Sequence, residues 1–293
     1  MTAQITPDLL RAIPLPVPGE DKDARGCVLV AGGNRAVPGA VVLAAEAALR
    51  AGAGKLQVAV GRSTAPGMAF RLPEALVVGL PETRDGNIAS EAAEELAERA
   101  QQAKALLLGP GMTDTDAAMA LVQDVLARLD AEGAPALALD AGALCGRDML
   151  CEALRPHAGR AVLTPHAGEM ANLLNMPRGD VEADAVGTGR HAASLLQAVV
   201  VMKGAQTHVV SPEGKVWSYA GGGAGLATSG SGDVLVGIIA GLLARGTPPV
   251  DAAAWGVWLH GEAGRTLARR IGPIGFLARE LAAEVPRLMA GVA

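Results

Sequence analysis

Aromatic side chains are almost missing from this sequence: three Trp, two Phe and one Tyr make up 2% of its 293 residues. Yet 50% of the chain is hydrophobic, so any core must be assembled from Ala, Val, Leu and Ile. Cysteine is scarce as well. Cys27, Cys145 and Cys151 are odd in number and show no CxxC spacing, which argues against a disulfide framework or a thiolate metal site and leaves three reduced, mostly buried side chains. Positive charge is not in excess: 25 Lys and Arg against 30 Asp and Glu give a net charge of −5. That balance excludes a broad basic face, and nucleic acid is not an expected partner. Any anionic ligand must be held by local groups. The N-terminus lacks the basic-then-apolar order of a signal peptide. The longest apolar run, Val234 to Ala244, is too short to cross a membrane. A soluble, cytoplasmic protein with no membrane partner is expected.

The common nucleotide signatures are also missing. In "AGAGKLQ" no Gly stands five residues before Gly54, Leu follows the Lys, and the segment leads into a strand, so it is no phosphate-binding loop. No GxGxxG joins a strand to a helix. Glycine itself is plentiful, with 38 residues, many at the turns and helix starts described next.

Residues 1–26 are Pro-rich and then charged. They read as a surface arm, and residues 27–293 as one domain without a separating linker or a fixed-period repeat. "CVLVAGG", "KLQVAV", "ALVVGL", "ALLLGPGM", "ALALDAGAL", "AVLTPHAGEM" and "VVVM" each begin as a short buried strand. Helical patterns lie between them. "PGAVVLAAEAALRAGAG" has Pro38 near its start and Gly52 at its end. "DTDAAMALVQDVLARL" carries acids in its first turn, as the helix dipole favours. Two more strands flank the turn "SPEG", an antiparallel excursion expected at one sheet edge. Helices near 231–244, 249–267 and 275–291 close the chain. The alternation predicts an α/β fold, a mostly parallel sheet with helices on both faces. In such sheets ligands lie beyond the carboxyl ends of the strands, and the Gly-rich loops converge there.

Each loop motif has a plain reading and a functional one. "GPG" at Gly109 to Gly111 is a rigid turn or a place where backbone meets ligand. Asp140 in "DAGAL" caps a turn or faces a hydrated cation. In "TPHAGEM", His166 is a structural histidine or a ligand contact, and Glu169 caps a helix or lines a phosphate pocket; the pair lacks a third ligand for a metal site of its own. "KGAQT", Lys203 to Thr207, supplies a cation, exposed amides and a hydroxyl that suit a nucleotide. "GSGD" is the strongest. Gly230, Ser231 and Gly232 can aim successive N–H groups at an anion at a helix start. Asp233 is then either a helix cap or a base that takes a proton from an incoming hydroxyl.

Taken in order, "VLVAGGNRAVPGAVVLAAEAALRAGAG", "LLLGPGM", "LALDAGAL", "VLTPHAGEMANLL", "VVVMKGAQTHVV" and "GLATSGSGDVLVGIIAGLLARG" resemble the ADP-dependent NAD(P)H-hydrate dehydratases of the ribokinase-like superfamily, from about Gly26 to the end. The resemblance implies a ribokinase-like three-layer fold. It also implies removal of water from the S-epimer of NADH or NADPH hydrate at the expense of ADP (ATP being possible), with release of AMP and phosphate. By motif matching, Ala40, Gly111, His166 and Asp233 would bind the hydrate. Lys203, Gly204, Ala205, Gln206, Thr207 and Gly232 would bind the nucleotide, and Gly230, Ser231 and Gly232 would form the anion hole. Asp233 would be the catalytic base, and Glu169 would lie near Mg²⁺ and the phosphates. The family habit further implies a homo-oligomer, often a tetramer, and a separate hydrate epimerase as functional partner. Three features depart from the family pattern: "EDKDARG" stands where His-Lys-Gly is frequent, "DAGAL" where Asp-Ala-Asp is common, and "GGNRAVPGA" lacks an aromatic. The competing readings are a ribokinase-like kinase of a small alcohol, of the hydroxyethylthiazole type, and a silent nucleotide sensor, which would not need Asp233.

Overall fold

The computed structural model describes residues 2–113, 115–144 and 146–292; Cys145 lies outside them. The strands are β1 (Thr2–Gln4), β2 (Cys27–Ala31), β3 (Lys55–Gly61), β4 (Ala75–Leu80), β5 (Ala105–Leu108), β6 (Ala136–Leu139), β7 (Ala161–Leu163), β8 (Val199–Met202), β9 (Thr207–Val210) and β10 (Val216–Tyr219). They form one sheet in the order β1-β10-β9-β8-β7-β6-β5-β2-β3-β4. All neighbours pair in parallel except β9, which is antiparallel to both β8 and β10.

The helices are α1 (Pro7–Ala12), α2 (Gly39–Arg50), α3 (Ala65–Arg71), α4 (Ala93–Gln101), α5 (Thr115–Arg128), α6 (Arg147–Leu154), α7 (Ala167–Leu174), α8 (Arg178–Ala183), α9 (Ala185–Leu196), α10 (Ser231–Ala244), α11 (Pro249–Arg270) and α12 (Ala278–Ala290). They form two layers, α4 to α9 on one face of the sheet and α2, α3 and α10 to α12 on the other. Both faces are therefore dry, which explains why the central strands are apolar without alternation. On β2, Val28 and Val30 enter one core while Leu29 and Ala31 enter the other, all fully buried. The same split recurs on β5 and β8.

The shortage of aromatics is answered by close packing of small residues. Along the α2–α10 contact, a Cβ placed on Gly237 would lie 2.3 Å from the Ala44 carbonyl oxygen, and one on Gly241 2.3 Å from that of Ala48. The two backbones approach as closely as helices can, and α10 is almost wholly buried. This is the long apolar run of the sequence, and among the described residues no helix is long and apolar enough to cross a membrane.

The expectation of a surface arm is corrected by the structure. Thr2–Gln4 adds β1 in parallel to β10, so the antiparallel excursion is not itself the sheet edge. Ile5 and Leu10 are buried in the core. The Trp255 indole N–H donates to the Ile13 carbonyl at 2.8 Å, and the Arg245 guanidinium to that of Pro16 at 3.0 Å. Cys27 and Cys151 are free thiols, each only partly buried rather than sealed in the core.

The chain leaves β2 toward β3 and β4 on one side, then returns to place β5 on the other side of β2. At that reversal the loops after β2 and β5 meet at the carboxyl ends of the strands, the end of such sheets where ligands bind. The Gly33 amide donates to the Pro110 carbonyl there at 2.6 Å.

Candidate active site

The rim of the sheet collects the predicted loops. Gly111 and Ala40 meet there: a Cβ on Gly111 would lie 3.0 Å from that of Ala40. Asn34, only 5% exposed, fixes the loop carrying Ala40. Its Oδ1 accepts from the Ala36 and Val37 amides at 2.9 and 2.8 Å, and its Nδ2 donates to the Thr113 hydroxyl beyond β5.

Farther along the rim, Asp140, Thr164 and Lys203 follow β6, β7 and β8. The Thr164 hydroxyl donates to Asp140 Oδ1 at 2.7 Å and Lys203 Nζ to the same oxygen at 2.8 Å. Lys203 Nζ also lies 3.4 Å from Glu169 Oε2. Burial alone would lower the Lys203 ammonium, but the charges of Asp140 and Glu169 outweigh it and hold the group above its ordinary value. Lys203 is therefore a firm, half-buried cation already committed to two carboxylates.

His166 is the N-cap of α7. Its Nδ1 accepts from the Gly168 and Glu169 amides at 3.0 and 3.1 Å, while Glu169 Oε2 accepts from the His166 amide at 2.7 Å. This reciprocal capping box makes Nδ1 an acceptor and leaves Nε2 as the N–H on an exposed ring. The plain reading of His166 thus holds at Nδ1, while Nε2 lies 3.5 Å from Glu169 Oε1.

At α10 the cap question has a clear answer. The N-cap is Gly230, with φ +86°, and no side chain caps the helix. A Cβ on Gly230 would sit 2.4 Å from Leu43 Cδ1 of α2. Asp233 occupies the third helical position, and among the described residues its carboxylate takes no hydrogen bond. Burial pushes it up to about 7, with the neighbouring charges of Asp140 and Glu169 adding to the rise and Lys203 opposing it. One detail of the anion hole is corrected: the Ser231 amide is spent on the Thr228 carbonyl at 3.2 Å. The Gly230, Gly232 and Asp233 amides have no acceptor among the described residues and are the ones left for an anion. Lys203 Nζ lies close to Gly232, 3.4 Å from where its Cβ would be.

Sequence reasoning missed His260. It lies on α11, and its Nε2 is 2.9 Å from the Ser231 hydroxyl. Burial pushes it down to about 4, with Lys203 lowering it further and Ser231 opposing, so it stays neutral near physiological pH. Nothing in the local pattern around His260 marks it, because only helix packing brings it to the rim.

Of the "KGAQT" residues, Lys203, Gly204, Ala205 and Gln206 line a cavity of about 550 Å³ together with His166. Thr207 does not line it and pairs with Tyr219 in the sheet. For Mg²⁺ the donor set is poor. Glu169 Oε2 is taken up by the helix cap and Lys203, and among the described residues no group of three His, Cys, Asp or Glu side chains converges. The protein residues alone do not build a cation cage.

The whole arrangement is one carboxylate without a partner, beside two free helix amides and a fixed ammonium, next to a ligand-sized cavity of the sheet rim. A model of the NAD(P)H-hydrate dehydratase family matches residues 28–287. The chain belongs to this family. Over 286 residues it is 49% identical to the ADP-dependent (S)-NAD(P)H-hydrate dehydratase of Xanthomonas campestris, covering 97% of this chain and 95% of that protein. It is 39% identical over 274 residues to the bifunctional NAD(P)H-hydrate repair enzyme Nnr of Moorella thermoacetica, covering 92% of this chain but 50% of that protein. The crystal structure of the ADP/ATP-dependent NAD(P)H-hydrate dehydratase of Bacillus subtilis, co-crystallised with ATP/Mg²⁺, superposes with a TM-score of 0.82 at 28% identity, over 100% of this chain and 99% of that one. The three-layer fold is thus the fold of NAD(P)H-hydrate dehydratases.

Proposed function

We propose that this chain catalyses the ADP-dependent dehydration of the S-epimer of NADH hydrate and NADPH hydrate, giving NADH or NADPH, AMP and phosphate. The observation that carries this reading is Asp233: a desolvated carboxylate without a hydrogen-bond partner, one residue from a free helix amide. A structural cap has no need of desolvation. A base for a substrate hydroxyl does, because its proton affinity must be raised toward the working pH.

The steps balance. Asp233 takes the proton of the ring hydroxyl as its oxygen attacks the β-phosphorus of ADP, and the bond to the bridging oxygen breaks to release AMP. The free amides of Gly232 and Asp233 and the α10 dipole stabilise charge on the transferring phosphoryl group. The ring nitrogen then donates its electron pair, the C–O bond breaks and phosphate departs. Loss of a ring proton restores the double bond, so the oxygen of the added water leaves in the phosphate. Lys203, held by Asp140 and Glu169, supplies fixed positive potential. Lys203 to Gln206 line the nucleotide side, with Gly232 at the phosphates and Thr207 entering through its backbone neighbours rather than the cavity wall. Ala40 and Gly111 contact the hydrate from one side, and His166 reaches it from the cavity it lines with Lys203 to Gln206. Mg²⁺, when bound with the nucleotide, would supply charge neutralisation at its phosphates, and Glu169, 3.4 Å from Lys203 Nζ, is a carboxylate on that side that could hold it.

Such a repair enzyme works in the cytoplasm, as a homo-oligomer, alongside an epimerase that presents the S form. The deciding experiment is product analysis after incubation with the hydrate, ADP and Mg²⁺. Equimolar AMP, inorganic phosphate and reduced nicotinamide are expected. A stable phosphate ester formed from a small alcohol, with no phosphate from the hydrate, would instead make the chain a kinase.

A further inference from the structure

The rim carries a second cavity that the site described above leaves unused. It has a volume of about 620 Å³ and lies between α2, α3 and the start of α12. Pro38, Val42, Leu43 and Met68 give it apolar walls, and Arg71 and Arg279 supply two guanidiniums. Size and lining are those of a small-molecule site, mostly apolar with a few polar groups.

Its position ties it to the chemistry. Leu43 is a shared wall: it lines the groove, and its Cδ1 is the atom that a Cβ on Gly230 would strike. Arg279 follows Ala278, whose Cβ is 3.3 Å from that same point. Gly39 of the groove adjoins Ala40. The anion hole thus stands between two cavities, the one lined by Lys203 to Gln206 on one side and this groove on the other. The two cations also differ. Arg71 is paired with Glu46 at 3.2 Å, whereas Arg279 has no hydrogen bond or ion pair among the described residues.

We propose that this groove binds the adenosine-and-phosphate arm of the dinucleotide hydrate, with Arg279 as its phosphate contact, an inference that rests on the dehydratase reading. The reaction needs two anionic ligands at once, and the nucleotide occupies the opposite cavity. The hydrate reacts at one end only, so its far half must lie along the rim on the side of Ala40 and Gly111. The groove offers that half apolar faces for a purine and an uncommitted guanidinium for phosphate.

Gly67 makes the test clean. It lines the groove, and a Cβ added there meets nothing within 4 Å. Gly67→Leu therefore enters the cavity with no clash at its Cβ, and replacing a helical Gly favours the fold. Calorimetric titration with NADPH and, separately, with ADP is the first readout. Gly67→Leu and Arg279→Gln should each weaken NADPH by about tenfold or more while ADP affinity stays within about twofold. In turnover, KM for NADPH hydrate should rise in both variants. KM for the hydrate of reduced nicotinamide mononucleotide, which has no adenosine arm, should not change in Gly67→Leu. Parental NADPH affinity in both variants, equal loss of ADP affinity, or no binding of NADPH by the parent protein would overturn the proposal. If the parent turns over no hydrate, the dehydratase reading falls, and the NADPH titration still decides the groove by the same outcomes.

Discussion

Asp233→Asn separates a base from a cap through two readouts that move in opposite directions. The carboxylate titrates at about 7 in the fold against 3.8 when free. The folded state therefore holds this proton more tightly than the unfolded chain. The stability it contributes is fully present below about pH 4 and is lost as pH rises through about 7. Full ionisation in a buried site costs at most about 4 kcal/mol, and water at the rim reduces that to about 2–3 kcal/mol. Asn cannot ionise and escapes this cost. It also loses the favourable contact of an acid with the α10 dipole, about 0.5 kcal/mol, so the net gain remains positive. At about 2 °C per kcal/mol for a domain of this size, Asp233→Asn should melt several degrees above the parent at pH 8. The gap should shrink steadily toward pH 4. Turnover with NADH hydrate should fall by about 10² to 10⁴. Melting curves across the pH range, with turnover on the same preparation, test both limbs. A variant whose melting gap is the same at every pH, and which keeps more than about a third of the parental rate, would refute the reasoning.

Lys203→Met should destabilise the protein by about 3 kcal/mol, because it strands Asp140, which is 2% exposed, without its cation. Adding Asp140→Asn should recover most of that loss in a urea-unfolding cycle, and independent, additive losses would contradict the pairing. Gly237→Val should cost more than 2–3 kcal/mol or abolish soluble folding, since about that much is the usual price of overpacking and here the obstacle is the Ala44 backbone; a parental melting temperature would show that α2 and α10 can part. The rate constant kcat/KM for the hydrate should rise with pH through about 7 as Asp233 loses its proton, and a profile flat across that range would point to another base.

The central strands could be read because each is a bare apolar run ended by a Gly, a Pro or a polar residue, and the loops because glycine marks the places where the rim must come close. The start of α10 was legible for the same reason: Gly230 and Gly232 mark it. What stayed hidden depends on tertiary contact. Thr2–Gln4 has no apolar pattern, and it becomes a strand only because β10 offers it an edge. His260 sits among ordinary helical residues and reaches Ser231 only through the packing of α11 on α10. The capping role of His166 was one of two open readings, and only the backbone geometry at α7 assigns Nδ1 to it. Helices α6, α8 and α9 were passed over because small and charged residues blur their periodicity, while burial of Leu150, Val181 and Ala192 places them on the sheet. The groove beside α3 left no trace in sequence, since its walls come from three separate segments.

The central claim is that the chain drives water out of a nicotinamide hydrate with a phosphoanhydride. Incubation of the purified protein with the S-epimer of NADH hydrate and Mg²⁺, with and without ADP, tests it most directly, with dihydronicotinamide absorbance followed over time. The account predicts that absorbance returns only when ADP is present, with one phosphate released per NADH recovered. Return of absorbance without nucleotide, or consumption of ADP with no return of absorbance, would contradict it.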